Sequence, residues 1–208
     1  MCPWEAAELA RLLRPAIGDE RVLAAVASIP RERFVPADQR GRAYANVALP
    51  IGSGQTISQP LVVARMLEAL RLQPTDRVLD VGTGSGYHAA LLSMLGGHVW
   101  TIERHRTLSA TAEQAVRELG IDNVTFLVRD GWDGLPDEAP FDAINVAAAT
   151  GDAVPDALER QLADGGRLVA PVGSANQHLM LTRRRGNRLV RRQLEAVQFV
   201  PLVHGVSD

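Results

Sequence analysis

Apolar and polar positions divide the chain into two leading helices, a long irregular segment and a regular alternation of strands and helices. Residues 5–14 and 19–28 carry leucine and valine at helical spacing, and Asp19 is a suitable N-cap for the second helix. Residues 29–59 follow no period, because prolines and glycines interrupt them, yet they keep apolar side chains. Since a loop this long inside a folded chain usually carries function, we expect it to form part of a site.

The rest of the chain alternates between the period of a strand and that of a helix. The predicted strands cover residues 77–81, 98–102, 124–128, 142–146 and 167–171, and the predicted helices 60–72, 86–95, 107–119 and 155–162. This alternation predicts an α/β fold with a parallel sheet wrapped by helices. Two further extended segments, 178–184 and 188–200, flank a Gly186-Asn187 turn and predict an antiparallel edge.

Composition narrows the class of protein without deciding its function. The 208 residues are sufficient for one domain, and 22 basic against 24 acidic side chains leave no global field for nucleic acid or anionic lipid. A single cysteine, Cys2, excludes an internal disulfide, and the five histidines show no spacing typical of a metal site. Charged residues interrupt the N-terminus where a signal peptide needs an apolar core, so we expect a cytoplasmic protein.

A glycine-rich turn follows the first strand of the alternating region. It reads Asp80-Val81-Gly82-Thr83-Gly84-Ser85-Gly86, and such a turn lets the backbone approach a nucleotide-like ligand that Cβ atoms would exclude. The dinucleotide fingerprint would place its third glycine at position 87, where this chain has Tyr87. This spacing disfavours a nicotinamide-dependent dehydrogenase.

Acidic residues end the next two strands and complete an expected adenosine pocket. Glu103 lies about twenty residues beyond the first glycine, where a carboxylate accepts hydrogen bonds from ribose hydroxyls. Asp130 follows the third strand and is placed to accept from the exocyclic amino group of adenine, while Gly131 leaves room for the ring. We therefore predict cofactor contacts from the glycine turn, Glu103, Asp130 and Gly131.

Six segments spread over nearly the whole chain share the pattern of one known family. They are AYANVALPIGSGQTISQP (43–60), VLDVGTGSGYHAALLS (78–93), TIER (101–104), DGWDGLPDEAPFDAI (130–144), LADGGRLVAPVG (162–173) and VQFVPLVHG (197–205). Together they resemble the protein-L-isoaspartate O-methyltransferase family. The first segment is the specific one, because glycine turns like the second occur in methyltransferases of many substrate classes.

The resemblance implies a fold, a cofactor and a set of roles. It implies a Rossmann-like, doubly wound methyltransferase sheet with an antiparallel C-terminal edge and an N-terminal helical cap. Within a single domain, residues 1–60 would hold the substrate loop, 61–173 the cofactor core and 174–208 the last strands. The cofactor would be S-adenosyl-L-methionine, the product S-adenosyl-L-homocysteine, and the partners damaged proteins containing L-isoaspartate, bound by a monomeric enzyme.

The resemblance also assigns the substrate side of the site. Ser58 matches the family's active-site residue, and Thr56 and Ile57 line the same entrance. Ser58 is also positioned as the N-cap of the helix that starts at Pro60, whose first turn offers N–H groups and a positive dipole end to a carboxylate. We expect the segment 44–59 to act as a lid that excludes water.

Three positions depart from the family pattern and keep other functions open. Ala45 stands where an acidic residue is usual, Leu61 where a tyrosine is frequent, and Arg129 where a glycine precedes Asp-Gly. One alternative is a related carboxyl methyltransferase that acts on an aspartyl residue of a biosynthetic peptide. Another is a degenerate S-adenosylmethionine-binding module, in which Arg129 spoils the pocket.

Overall fold

The computed structural model describes residues 3–207, so Cys2 lies outside the described part of the chain. Its helices are α1 (Pro3–Leu13), α2 (Glu20–Ser28), α3 (Pro60–Leu70), α4 (Tyr87–Leu95), α5 (Arg106–Glu118) and α6 (Asp156–Arg160). Its strands are β1 (Leu49–Gly52), β2 (Gln55–Ile57), β3 (Arg77–Val81), β4 (His98–Glu103), β5 (Val124–Val128), β6 (Phe141–Val146), β7 (Leu162–Val172), β8 (Gln177–Arg185) and β9 (Arg188–Val197).

Seven of these strands form one sheet in the order β5-β4-β3-β6-β7-β8-β9. Strands β3 to β7 all run parallel to one another. Strand β8 is antiparallel to β7 and β9 is antiparallel to β8, so the sheet confirms the predicted fold class. The chain runs outward from β3 through β4 to β5 and then returns to add β6 on the other side of β3. This reversal creates a switch point at the carboxyl ends of β3 and β6, where ligands bind in such sheets.

Helices cover both faces of the central strands, which explains why those strands are apolar without alternation. Val78 of β3 packs in the cluster that includes α1 to α4, whereas its neighbour Leu79 packs in a second cluster with α6. The N-terminal helices join the first cluster through buried residues of α2. Asp19 is the N-cap residue of α2 and accepts a hydrogen bond from the N–H of Arg21, as predicted. The N-terminal helices therefore extend the hydrophobic core.

Several predicted boundaries are wrong, and tertiary contacts explain them. Helix α3 ends at Leu70 because Arg71 adopts a left-handed conformation with φ +48°. Strand β7 begins at Leu162, five residues earlier than expected, because Leu162 pairs with Phe141 before a bulge shifts the register. The irregular loop contains two short 3-10 helices, Arg31–Phe34 and Ala37–Arg42, followed by the β1–β2 hairpin.

The arginine-rich edge around the Gly186-Asn187 turn is partly bound within the fold. Glu159 is 4% exposed, and its carboxylate accepts from Nη2 of Arg191 at 2.6 Å. Its backbone carbonyl accepts from Nη2 of Arg184 at 2.7 Å. These contacts tie the last two strands to α6. Within residues 3–207, every helix is too short or too polar to cross a bilayer.

Candidate active site

A pocket opens at the carboxyl ends of β3, β4 and β6, where the strand order reverses. The predicted residues that line it are Thr56, Ile57, Ser58, Gly82, Thr83, Gly84, Ser85, Glu103 and Gly131. Three other predicted residues, Asp80, Gly86 and Asp130, do not line it, and Asp130 lines a different groove. The sheet thus brings the glycine turn, the acidic strand end and the substrate loop together at one cavity.

The glycine turn has backbone angles that favour glycine. Gly82, Gly84 and Gly86 all have positive φ, of +94°, +52° and +88°. A Cβ on Gly86 would also lie 3.0 Å from the Cβ of Ala112, because the turn packs closely against α5. The turn is therefore open toward the pocket and tightly packed behind, which fits a backbone cradle for a nucleoside ligand.

Asp80 supports this turn from below. It is fully buried, and its carboxylate accepts from Oγ1 of Thr101 and Nδ2 of Asn145, each at 2.8 Å. The hydroxyls of Thr83 and Thr101 lie 2.6 Å apart and continue this network into the turn. Burial raises the pKa of Asp80 to about 6, although its two hydrogen bonds oppose the rise. A direct contact between Asp80 and a cofactor stays a prediction.

Glu103 connects the turn to the end of β4. Its Oε2 accepts from the N–H of Gly84 at 2.9 Å, and its Oε1 accepts from the N–H of His105 at 3.0 Å. Each carboxylate oxygen has a second lone pair, so both can also accept from hydroxyls of a ligand. Glu103 is therefore fixed in orientation at the wall of the pocket, as a ribose-binding residue must be.

Asp130 binds the C-terminal segment rather than standing free at the pocket. Its oxygens accept from the N–H of Trp132 at 2.9 Å and the N–H of Gly205 at 2.7 Å, and Nδ1 of His204 lies 3.3 Å away. Burial raises its pKa, but these hydrogen bonds outweigh that effect and the net shift is downward. A Cβ on Gly131 would lie 2.6 Å from Cγ1 of Val81, so this position has no room for a side chain.

The C-terminal segment 198–207 forms one wall of the pocket, a role that the sequence did not predict. Val200, Pro201, Leu202 and Val203 line the cavity. The segment is held at three strand ends, through backbone hydrogen bonds with Ala149 after β6 and Arg104 after β4, and through Asp130 after β5. The motif VQFVPLVHG was a signal for this wall, but no local pattern indicates where an extended tail returns to the sheet.

The substrate loop places Ser58 at the pocket, but Ser58 is not the helix N-cap, so that prediction is wrong. The cap position is Gln59, which makes no side-chain capping bond. Instead, Oδ1 of Asn46 accepts from the N–H of Leu61 at 3.0 Å, across fifteen residues of loop. The side chain of Ser58 is thereby left free, and it is half-buried at the cavity.

A second groove adjoins the cofactor pocket. The two cavities share Thr56, Ser58, Ala147 and Val200, and the groove continues along Ala196–Phe199 and over Val62 of α3. Its lining residues carry no charged side chain. A donor in the first cavity and an extended chain in the second would therefore meet at Ser58.

The three departures from the family pattern lie outside the cofactor pocket. Arg129 is half-exposed, with its Nη1 3.8 Å from the Asp137 carboxylate, and it lines a different groove. Ala45 is exposed, and Leu61 is half-buried in the first turn of α3. Arg129 therefore does not obstruct the pocket, which removes the observation that favoured a degenerate binding module.

Solved structures share this fold. One named protein-L-isoaspartate O-methyltransferase superposes with a TM-score of 0.87 at 30% identity, over 96% of this chain and 66% of that longer chain. Another structure, with a similar name and from Plasmodium falciparum, holds S-adenosyl-L-homocysteine and superposes with a TM-score of 0.80 at 25% identity, over 95% of this chain and 98% of that one. The fold and the site define an S-adenosylmethionine-dependent methyltransferase.

The particular family follows from the sequence comparisons. The family model for protein-L-isoaspartate(D-aspartate) O-methyltransferase matches residues 7–207. A curated relative named protein-L-isoaspartate O-methyltransferase, from Roseiflexus castenholzii, is 55% identical over 93% of this chain and 89% of its own length. The chain belongs to the protein-L-isoaspartate(D-aspartate) O-methyltransferase family.

Proposed function

We propose that this enzyme transfers a methyl group from S-adenosylmethionine to the α-carboxylate of L-isoaspartyl residues in damaged proteins. The observation that carries the proposal is the meeting of two cavities at Ser58. One has the glycine cradle and carboxylate wall suited to an adenosine cofactor. The other is a groove without charged lining residues that runs along residues 196–200, where we place a short stretch of peptide backbone.

The residues of the cofactor pocket fit the nucleoside part of S-adenosylmethionine. The open backbone of Gly82 and Gly84 faces the cavity, and Glu103 presents fixed carboxylate oxygens to a ribose. Leu202 and Gly131 give the far end an apolar surface against which an adenine ring can lie. When bound, the cofactor supplies an electrophilic methyl group on a sulfonium sulfur.

The chain's own task is to position a nucleophile and exclude water. An α-carboxylate has a pKa of about 3.5, so it is ionised at neutral pH and needs no general base. We assign to Ser58 the role of donating a hydrogen bond to one carboxylate oxygen, which leaves the other oxygen directed at the methyl group. The β1–β2 hairpin and Val200 enclose this point and reduce its contact with water.

The products explain how methylation leads to repair. A carboxylate oxygen gains the methyl group while the sulfonium becomes the neutral thioether of S-adenosylhomocysteine, so the two charges cancel. The methoxy group of the ester leaves far more readily than the oxygen of a free carboxylate. The neighbouring backbone nitrogen then displaces methanol to form a succinimide, and hydrolysis reopens this ring partly to normal aspartate.

A direct test compares matched peptides that differ only in the linkage at one residue. Transfer of labelled methyl from S-adenosylmethionine, scored as base-labile methanol, is expected with the L-isoaspartyl peptide and absent with the L-aspartyl peptide. Labelling of neither peptide, with intact cofactor binding, would reject the proposed substrate. Labelling confined to an aspartyl side chain would instead favour the biosynthetic-peptide alternative.

The role of Ser58 has its own test. Ser58→Ala should lower turnover of the isoaspartyl peptide at saturating cofactor by roughly tenfold, the usual effect of losing one hydrogen bond to a charged group. Ser28→Ala is a matched control, because Ser28 is exposed on α2 and its hydroxyl donates to its own helix. Unchanged turnover in Ser58→Ala would remove this assignment.

We further propose that the enzyme works as a monomer in the cytoplasm. The single cysteine supports the cytoplasmic part of this proposal, because a reducing compartment does not call for disulfides. A light-scattering mass close to 22.4 kDa at micromolar concentration would agree with it, whereas twice that mass would contradict it.

A further inference from the structure

Arg31 is a buried cation behind the wall of the cofactor pocket. Its Nε donates to the carbonyl of Ala43 at 2.7 Å and its Nη2 to the carbonyl of Val47 at 3.4 Å, while Nη1 is enclosed without a hydrogen-bond partner. Burial lowers the pKa of Arg31 to about 10, so it stays charged at neutral pH. Its hydrogen bonds within residues 3–207 reach backbone carbonyls only, and a buried charge left in this way is costly without an anion nearby.

Two residues of the pocket wall also carry buried polar atoms without a hydrogen-bond partner. Tyr87 and His88 begin α4 directly after the glycine turn, and both line the cofactor pocket. The guanidinium carbon of Arg31 lies 5.1 Å from the centroid of the Tyr87 ring. The hydroxyl of Tyr87 and Nε2 of His88 are enclosed without hydrogen-bond partners. Three unpartnered polar atoms therefore belong to Arg31 and the wall in front of it.

The side chain of His88 is a neutral ring with one enclosed nitrogen. Burial, assisted by the charge of Arg31, lowers the pKa of His88 to about 4, so the ring is neutral and has one donor and one acceptor nitrogen. A ring nitrogen near a cation favours a lone pair over an N–H. Nε2 is the enclosed nitrogen of the ring, so Nδ1 is the nitrogen left to meet a ligand in the pocket that His88 lines.

We propose that Nδ1–H of His88 donates a hydrogen bond to a carboxylate of the bound ligand, and that Arg31 is a positioning residue that fixes this tautomer from behind. Two carboxylates share this chemistry: that of the cofactor's methionyl group and the α-carboxylate of the substrate. The second of these rests on the proposed function. Neither role follows from the glycine turn or from Ser58.

The experiment uses paired substitutions and paired ligands. His88→Asn keeps an amide N–H near the position of Nδ1, His88→Gln places it near Nε2 instead, and His88→Leu removes it. His98→Leu is the control, because His98 begins β4 at the opposite end of the sheet and binds Thr125. The ligands are S-adenosylhomocysteine and 5′-methylthioadenosine, which retains the nucleoside and thioether but has no carboxylate.

Two binding results support the proposal and identify the carboxylate. If the carboxylate belongs to the cofactor, His88→Leu weakens S-adenosylhomocysteine binding by roughly 10- to 100-fold and leaves the affinity for 5′-methylthioadenosine unchanged. If it belongs to the substrate, both affinities stay constant and KM for the isoaspartyl peptide rises by that factor. In either case His88→Asn recovers most of the loss and His88→Gln does not.

The tautomer gives a readout that a merely structural role would not move. Nitrogen-15 NMR of the His88 ring should show a protonated Nδ1 in the wild type and a shift toward protonated Nε2 in Arg31→Met. A protonated Nε2 in the wild type would overturn the proposal even if Arg31→Met did not fold. Equal weakening of both nucleosides, or no change in either affinity or in KM, would also overturn it. Failure of the proposed function is separate, because it would appear as no turnover of the peptide by wild-type enzyme.

Discussion

Asp80 lowers the stability of the folded protein at neutral pH, and Asp80→Asn should remove this cost. The carboxyl titrates near 3.8 in an unfolded chain and near 6 in the folded one. Between these values the folded protein holds one proton more than the unfolded chain. The stability contributed by the proton is therefore full below about pH 3.8 and is lost as the pH rises through 6.

The magnitude follows from the size of the pKa shift. A rise of about two units corresponds to about 3 kcal/mol of lost stability at neutral pH. Asparagine has the same shape and can keep the network, because its amide nitrogen can donate to Oγ1 of Thr101 while its oxygen accepts from Asn145. The hydroxyl of Thr101 then turns toward Thr83, which lies 2.6 Å away.

Urea unfolding of both proteins at several pH values tests this reasoning. We expect Asp80→Asn to gain stability relative to wild type as the pH rises, by about 2 kcal/mol between about pH 4.5 and about pH 7.5. The difference in the free energy of unfolding between the two proteins is used, because the contributions of all other titrating groups cancel in it. A difference that stayed constant with pH would show that Asp80 is ionised in the folded protein at the lower pH, and would refute the argument.

Three other substitutions test the contacts that shape the pocket. Glu103→Gln should cost about 1–3 kcal/mol in urea unfolding without ligand, because an amide group would face one of two backbone N–H donors; unchanged stability would contradict the bonding we describe. Gly131→Ala should lose about 1–3 kcal/mol by overpacking, whereas Gly41→Ala, with open space around it, should match wild type in a thermal melt. Arg167→Met leaves the buried carboxylate of Asp76 without its 2.5 Å partner and should cost about 3–5 kcal/mol in urea; a loss below 1 kcal/mol would exclude a strong pair.

The sequence predicted the order of elements because the order depends on local patterns. The apolar run of β3, the glycines after it and the Gly186-Asn187 turn each act over a few residues, and all three are where they were expected. Element ends were less predictable. The residues that extend β7 to Leu162 do so because Phe141, on another strand, offers a pairing partner.

In the candidate site, too, some residues were predictable from the sequence and others depend on tertiary contacts. The glycine turn and Glu103 were predicted as site residues from spacing alone, and Ser58 from the family resemblance. Residues 82–85 of the turn line one cavity together with Glu103 and Ser58. In contrast, the side chain that caps α3 belongs to Asn46, fifteen residues away, and one pocket wall is the segment 198–207. Spacing along the chain gives no indication of either contact.

The sequence by itself determined which elements form and which carboxylates and glycines end the strands, because hydrophobic period and backbone preference are local properties. Only the tertiary structure decided that Asp80 is sealed beneath the turn and that Asp130 binds the C-terminal segment. It also decided that the guanidinium of Arg31 is buried against the ring of Tyr87. Burial and hydrogen bonding between distant residues depend on which surfaces meet when the sheet assembles, and those contacts set the charge and orientation of each group in the site.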